Sequence, residues 1–246
     1  MKAKIILASA AIAVTAFAFS KFSTTQNATA TPKEKITSTP MDDMTGWSDA
    51  SKMAVMMMKK QYGEPAAKTT DMMMWKNTGQ WTKTVVYAKE FKHDFPMPHT
   101  DVMQQWIDYK VPQDKFDELA MFDGSVVANR TNGDLSARCD KEGANFLAIN
   151  LANDVIKGNK DPNSARDSYA RSIKEFINGG KPAYMQKLQF DVANGNTADA
   201  DKPSSIITDD DMMKAKKMGE MMKKEMMMPS HGEMGHACAP GCGMHK

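Results

Sequence analysis

The chain has little leucine. Six Leu stand against 24 Met in 246 residues, although Leu normally leads the apolar side chains. An excess of one charge is also missing: 32 Lys and Arg offset 30 Asp and Glu, leaving a formal net charge of +2. No dense basic face appears outside the Met-rich region, so nucleic-acid binding has no support. Three cysteines in all, Cys139 alone and Cys238 near Cys242, allow one disulfide and one free thiol. Glycine-rich phosphate loops and the G-x-S-x-G elbow are absent, and the carboxylates are scattered rather than paired. With no catalytic motif, the expectation is a protein that is not an enzyme.

Long apolar runs are missing too. The longest, Ile5 to Phe19, has fifteen residues behind Lys2 and Lys4, short of the roughly twenty that span a bilayer. A basic n-region followed by such an h-region predicts a secretory signal over 1–30, cleaved after Ala18 or Ala30. Left uncleaved, the run would be a membrane anchor; no nearby Cys could carry a lipid. The expected location is periplasmic or secreted, where a Cys238–Cys242 disulfide competes with metal binding. Residues 31–45, rich in Thr, Ser, Lys and Asn, cannot bury a core and predict a disordered stalk.

What is present from 46 to 190 predicts a single α+β domain of antiparallel hairpins packed with helices. Ser48 is a fair N-cap for a helix carrying Ala50, Met53, Ala54 and Met57 on one face, stopped by Gly63. Two β-rich runs flank Asn77-Thr78-Gly79-Gln80 and predict a hairpin with a longer turn. In "HDFPMPHTD", Pro96 and Pro98 impose an extended loop. The first half of "TDVMQQWIDYKVPQDKFDELAMF" fits helix and strand equally; Lys115 to Phe122 predicts a short helix. "SVVANRTNGDLSARC" predicts a second hairpin around a type I′ turn at Asn132-Gly133. Glu142 to Lys157 predicts a helix ended by Gly158. Another begins with Asp161 as N-cap and Pro162 at the first position, with Ala165, Tyr169, Ile173 and Ile177 as its apolar stripe.

Residues 191–207 predict a polar linker. Thr208 and the Asp209-Asp210-Asp211 run then open a Met-rich helix over 208–229, with negative charge at the positive end of its dipole. The tail, 230–246, closes the chain. The runs "GWSDASK", "YGEP", "HDFPMPHTD", "YKVP", "FDGSVVANRTNGDLSARCDKE" and "NFLAINLANDVI" resemble an uncharacterised family of exported bacterial proteins. The resemblance covers Gly46 to Phe190; it implies a single exported domain and supplies no activity. The tail is separately similar, in composition, to the Met/His/Cys-rich segments of copper-handling proteins.

The densest donor set is that tail: His231, Met234, His236, Cys238, Cys242, Met244 and His245, interleaved with glycines that let the backbone fold tightly. Thiolate and thioether sulfurs are soft and favour Cu(I). His236, Cys238, Cys242 and His245 could instead close a tetrahedral zinc shell. Copper is preferred, because ten of the 24 Met lie after residue 211 and Met218, Met222 and Met226 repeat along one helix face. The expected function is copper capture by this arm, for sequestration, delivery or tolerance. A competing reading makes the core a domain for an envelope partner or ligand, with the arm incidental or absorbing oxidants. His93 and His99, near Asp94 and Asp101, form a secondary candidate that spacing alone assigns to backbone capping, with no third ligand identifiable. Cys139 could be a nucleophile activated by one of these histidines; its place in an alternating strand favours a half-buried structural thiol.

Overall fold

The computed structural model describes residues 44–192 and 195–227. The expected signal, most of the stalk and the tail donors His231, Met234, His236, Cys238, Cys242, Met244 and His245 lie outside the described residues. Helix α1 (Asp49–Tyr62) starts where Ser48 Oγ accepts the Ser51 amide, and ends where the Gly63 N–H reaches back to Lys59. Strands β1 (Ala67–Lys68), β2 (Met72–Thr78), β3 (Trp81–His93) and β4 (His99–Asp108) follow. Next come α2 (Phe116–Phe122), β5 (Val126–Asn129), β6 (Asp134–Cys139), α3 (Glu142–Ile156), α4 (Pro162–Ile177) and α5 (Asp209–Met227). The α+β expectation holds: the hairpins join into one antiparallel six-stranded sheet, ordered β1-β2-β3-β4-β6-β5.

Period-two alternation gives the sheet one buried face. Met73 and Trp75 pair with Val86 and Thr84, which pair in turn with Met103 and Gln105. Cys139 and Ala137 continue the row on β6, and every one of these side chains is buried. Around Met73, Trp75, Val86 and Met103 the cover is α1, through Ala54, Val55 and Met58. Around Ile107, Leu135 and Ala137 it is α3, through Leu147, Ile149 and Leu151, with Ala165 and Tyr169 of α4 behind. Trp81 stacks on Phe146 with ring centroids 4.6 Å apart.

Two turn expectations need correction. Thr78 pairs directly with Trp81, so the first hairpin closes on two residues, Gly79 and Gln80, with positive φ at Gly79. At the second hairpin only Gly133 has positive φ, not Asn132; the loop spans four residues and closes by the Gly133 amide bonding to Asn129 O. A type I′ turn is ruled out, since it needs positive φ at both central positions. The ambiguous segment is strand β4, because β3 and β6 pair with it on both sides. The apolar stripe of α4 is buried at Ala165 and Tyr169 but runs out to an exposed Ile177.

The linker is not free either. Thr197 is buried and its Oγ1 donates to Gly133 O at 2.6 Å. A Cβ at Gly133 would fall 2.3 Å from the Thr197 carbonyl carbon, so only glycine admits this strap. Arg130 anchors it further through Asp199 and Asp201. Beyond it, α5 opens with Thr208 and Asp211 bonding reciprocally. All of its residues are exposed. Among the described residues no helix is long and apolar enough to cross a membrane.

Candidate functional site

His93 and His99 end β3 and start β4, and they face each other across the hairpin. The Pro-braced loop between them, with a cis Phe95–Pro96 bond, brings their ring centroids to 4.9 Å. Between Val86 and Phe91 the β3–β4 register shifts, a bulge that re-aims side chains. Past it Asp101, Val102 and Met103 are buried in succession, and the Asp101 carboxylate turns in beneath the two imidazoles.

Asp101 is the hub. His99 Nε2 lies 3.1 Å from its Oδ1, and His93 Nδ1 lies 3.4 Å from its Oδ2. Ser125 Oγ donates to Oδ2 at 2.6 Å, and Arg138 Nε stands 3.7 Å away. The His99 approach is an ion pair without hydrogen-bond alignment: Asp101 Oδ1 has no aligned donor, and neither does Arg138 Nε an acceptor. Two unmatched buried polar atoms at one place are costly unless something else meets them. Asp123, also buried, faces His93 Nε2 at 3.6 Å. Cys139 Sγ lies 3.5 Å from His99 Nε2.

The charges follow from the geometry. Burial alone would raise Asp101, but His93, His99 and Ser125 hold it well below the usual carboxylate range. The Asp101 carboxylate, aided by Cys139 and Met97 O, pushes His99 up to about 11. Burial raises Asp123 and Cys139. The sign of the linkage is therefore fixed for the pair. Asp101 contributes stability above its ordinary 3.8 and loses it as pH falls further; His99 contributes fully below its ordinary 6.5 and loses that as pH climbs toward about 11. Urea midpoints should peak between about pH 4 and 6.5 and decline by pH 9, and Asp101→Asn should flatten that decline. An undiminished slope in the variant would show that the pair does not carry it.

Two chemistries compete for this arrangement. A nucleophilic thiol needs a histidine whose two nitrogens serve different partners, one the thiol and the other an orienting carboxylate. Here Cys139 and Asp101 crowd the same nitrogen, while His99 Nδ1 faces Met97 O at 2.9 Å. That is a poor relay. It is a good ligand setting, because an Nδ1–H held by a carbonyl leaves Nε2 to face an ion. His93 turns Nδ1 toward Ser125 Oγ at 3.3 Å and Asp101 Oδ2 at 3.4 Å, with Nε2 3.6 Å from Asp123.

One donor atom each from His93, His99 and Asp101 lie within 4.8 Å of one another. Ligands at zinc-like bond lengths sit roughly 3.3 Å apart around a tetrahedral ion. His99 Nε2 stands 3.1 Å from Asp101 Oδ1 and His93 Nδ1 stands 3.4 Å from Oδ2, so each imidazole lies at about that spacing from one carboxylate oxygen, but not from the same one. Cys139, at 3.5 Å from His99, sits at the edge of the same shell.

Thus the secondary sequence candidates are the ones brought together, and Asp101, which spacing did not single out as a third member, completes the group. Asp94 is not part of the group; it pairs with Lys92 at the surface. Asp123, Ser125 and Arg138 carry no spacing signal, arriving from the α2–β5 connection and from β6. Met218, Met222 and Met226 lie exposed on α5, as expected of an unpacked ridge.

A cavity of about 270 Å³ opens over His99 and Cys139, walled by Tyr169, Ile173, Phe176 and Ile177 of α4. No protein-family model, no curated protein and no solved structure matches the chain.

Proposed function

We propose that this is an exported metal-handling protein with two kinds of site. In the core, His93, His99 and Asp101 take up one divalent transition ion. Two imidazoles and a carboxylate suit zinc, iron(II) or copper(II) better than Cu(I). On the arm, the thioethers of Met218, Met222 and Met226, together with the tail donors, capture the softer Cu(I). The observation that carries the reading is the convergence of His93, His99 and Asp101 within 4.8 Å around an unmatched carboxylate oxygen. The imidazolium–carboxylate pair and the ion are alternative occupants of one space, so uptake releases a proton.

Cobalt(II), a spectroscopic stand-in for zinc, tests the core. A full chain carrying Cys238→Ser and Cys242→Ser, which removes the tail's zinc-type set, is expected to bind one Co(II) that His99→Ala weakens by at least about 100-fold, comparable with the strongest effects of disturbing a ligand's support. Changing Met218, Met222 and Met226 to Leu should leave Co(II) untouched and weaken Cu(I). If His99→Ala binds Co(II) as the parent does, the core centre is refuted; if the Met variant keeps full Cu(I) affinity, the arm is.

A further inference from the structure

The cavity beside the cluster is mostly apolar: the Pro96–Met97–Pro98 loop, Ala144 and the α4 side chains line it, with His99 and Cys139 among its few polar members. His93 and Asp101 do not line it, so of the three ligands only His99 is reached from this side. An ion held there would be reached from the cavity beside His99, and from solvent beside His93, whose side chain is 19% exposed. Two neutral imidazoles and one carboxylate leave a divalent ion with one uncompensated positive charge. The other charged groups at the rim, Asp140 and Lys141, pair with each other and cancel.

We infer that the cavity binds a small monocarboxylate with an apolar body, its head completing the shell of the core ion and its body lying against α4. This rests on the metal reading above. Size fits: a cavity of about 150 Å³ holds benzene, so about 270 Å³ holds a phenyl ring with a short linker. Apolar walls with a few convergent polar groups are the usual make-up of such sites. Phe176 and Ile177 are 42% and 62% exposed, an apolar rim that a ligand would cover.

The probe is 3-phenylpropionate, titrated into the same Cys238→Ser, Cys242→Ser full chain loaded with Co(II) and followed by the visible d–d bands. The bands are expected to shift saturably, at least about tenfold more tightly than with acetate, and 3-phenylpropanol should not shift them. Ile177→Ser, on an exposed position that should not impair folding, is expected to weaken the carboxylate about tenfold while leaving the ligand-free spectrum unchanged. Acetate binding as tightly would show that the body is not recognised; an equal effect of the alcohol would show that the charge is not. Unaltered affinity in Ile177→Ser would move the ligand off α4. Each overturns the inference while the metal reading stands. A chain that gives no Co(II) bands at all removes both, and that result appears before any carboxylate is added.

Discussion

Asp101→Ala is expected to lower the unfolding free energy by about 3–5 kcal/mol, the usual loss when one partner of a buried charge group is removed. For a domain of this size that moves the melting temperature by on the order of 10 °C. The carboxylate is fully buried and faces two imidazoles, a hydroxyl and a guanidinium. Alanine leaves Ser125 Oγ without its acceptor and the imidazoles and guanidinium without their common counter-charge, and it opens a void beneath the two histidines. Asp101→Asn keeps an acceptor for Ser125 and the volume, and should lose roughly half as much. Both variants should lose Co(II) binding. Urea titration of the three proteins decides the matter: a loss under about 1 kcal/mol in Asp101→Ala would show the cluster to be open to water. That would also weaken the case for an ion held in a dry site.

Glu142→Ala is expected to cost about 2–4 kcal/mol, for a different reason. Glu142 Oε1 accepts from Tyr62 Oη at 2.8 Å, Trp81 Nε1 at 2.7 Å and Gln105 Nε2 at 3.3 Å. Gln105 in turn bonds Thr84 and receives Asn145, whose Nδ2 also donates to Met103 O. One carboxylate thus ties α1 and its Met- and Trp-rich cluster to the cluster under α3. Removing it leaves the buried Trp81 donor unmatched, at about 1–3 kcal/mol, and the partly buried Tyr62 hydroxyl without its acceptor at a smaller cost. Glu142→Gln retains an acceptor oxygen and should lose less than half as much, in urea unfolding followed by near-ultraviolet circular dichroism of Trp81. Equal losses in the two variants would mean that charge, not the shared acceptor, holds the clusters together.

How legible these features are in the sequence depends on range. Ser48 with Gly63, and Asp161 with Pro162, are local punctuation, and the helices they bound are where they predict. β4 is not legible, because "DVMQQWIDY" suits either period until β3 and β6 flank it. The Asn132-Gly133 signal locates the turn but mistypes it; Asn132 keeps negative φ while the loop lengthens to four residues and Thr197 docks on Gly133. In the site, His93, His99 and Asp101 sit within nine residues of sequence and can be named together. Spacing favours backbone capping for them, and nothing local argues otherwise. Their convergence depends on a register shift in β3 and on Ser125 and Arg138, which are long-range neighbours without a motif.

The strap on the second hairpin has one more consequence. Arg130 and Gly133 fix the chain as far as Asp201, and α5 begins at Asp209, a reach of no more than roughly 30 Å for eight residues. Where a tether this short spans two sites, it holds a solute bound at one of them at an effective concentration in the millimolar range at the other, however dilute the protein. Traffic of any solute between the methionines of α5 and the strands that carry the histidines would then be a first-order event, indifferent to how much protein is present.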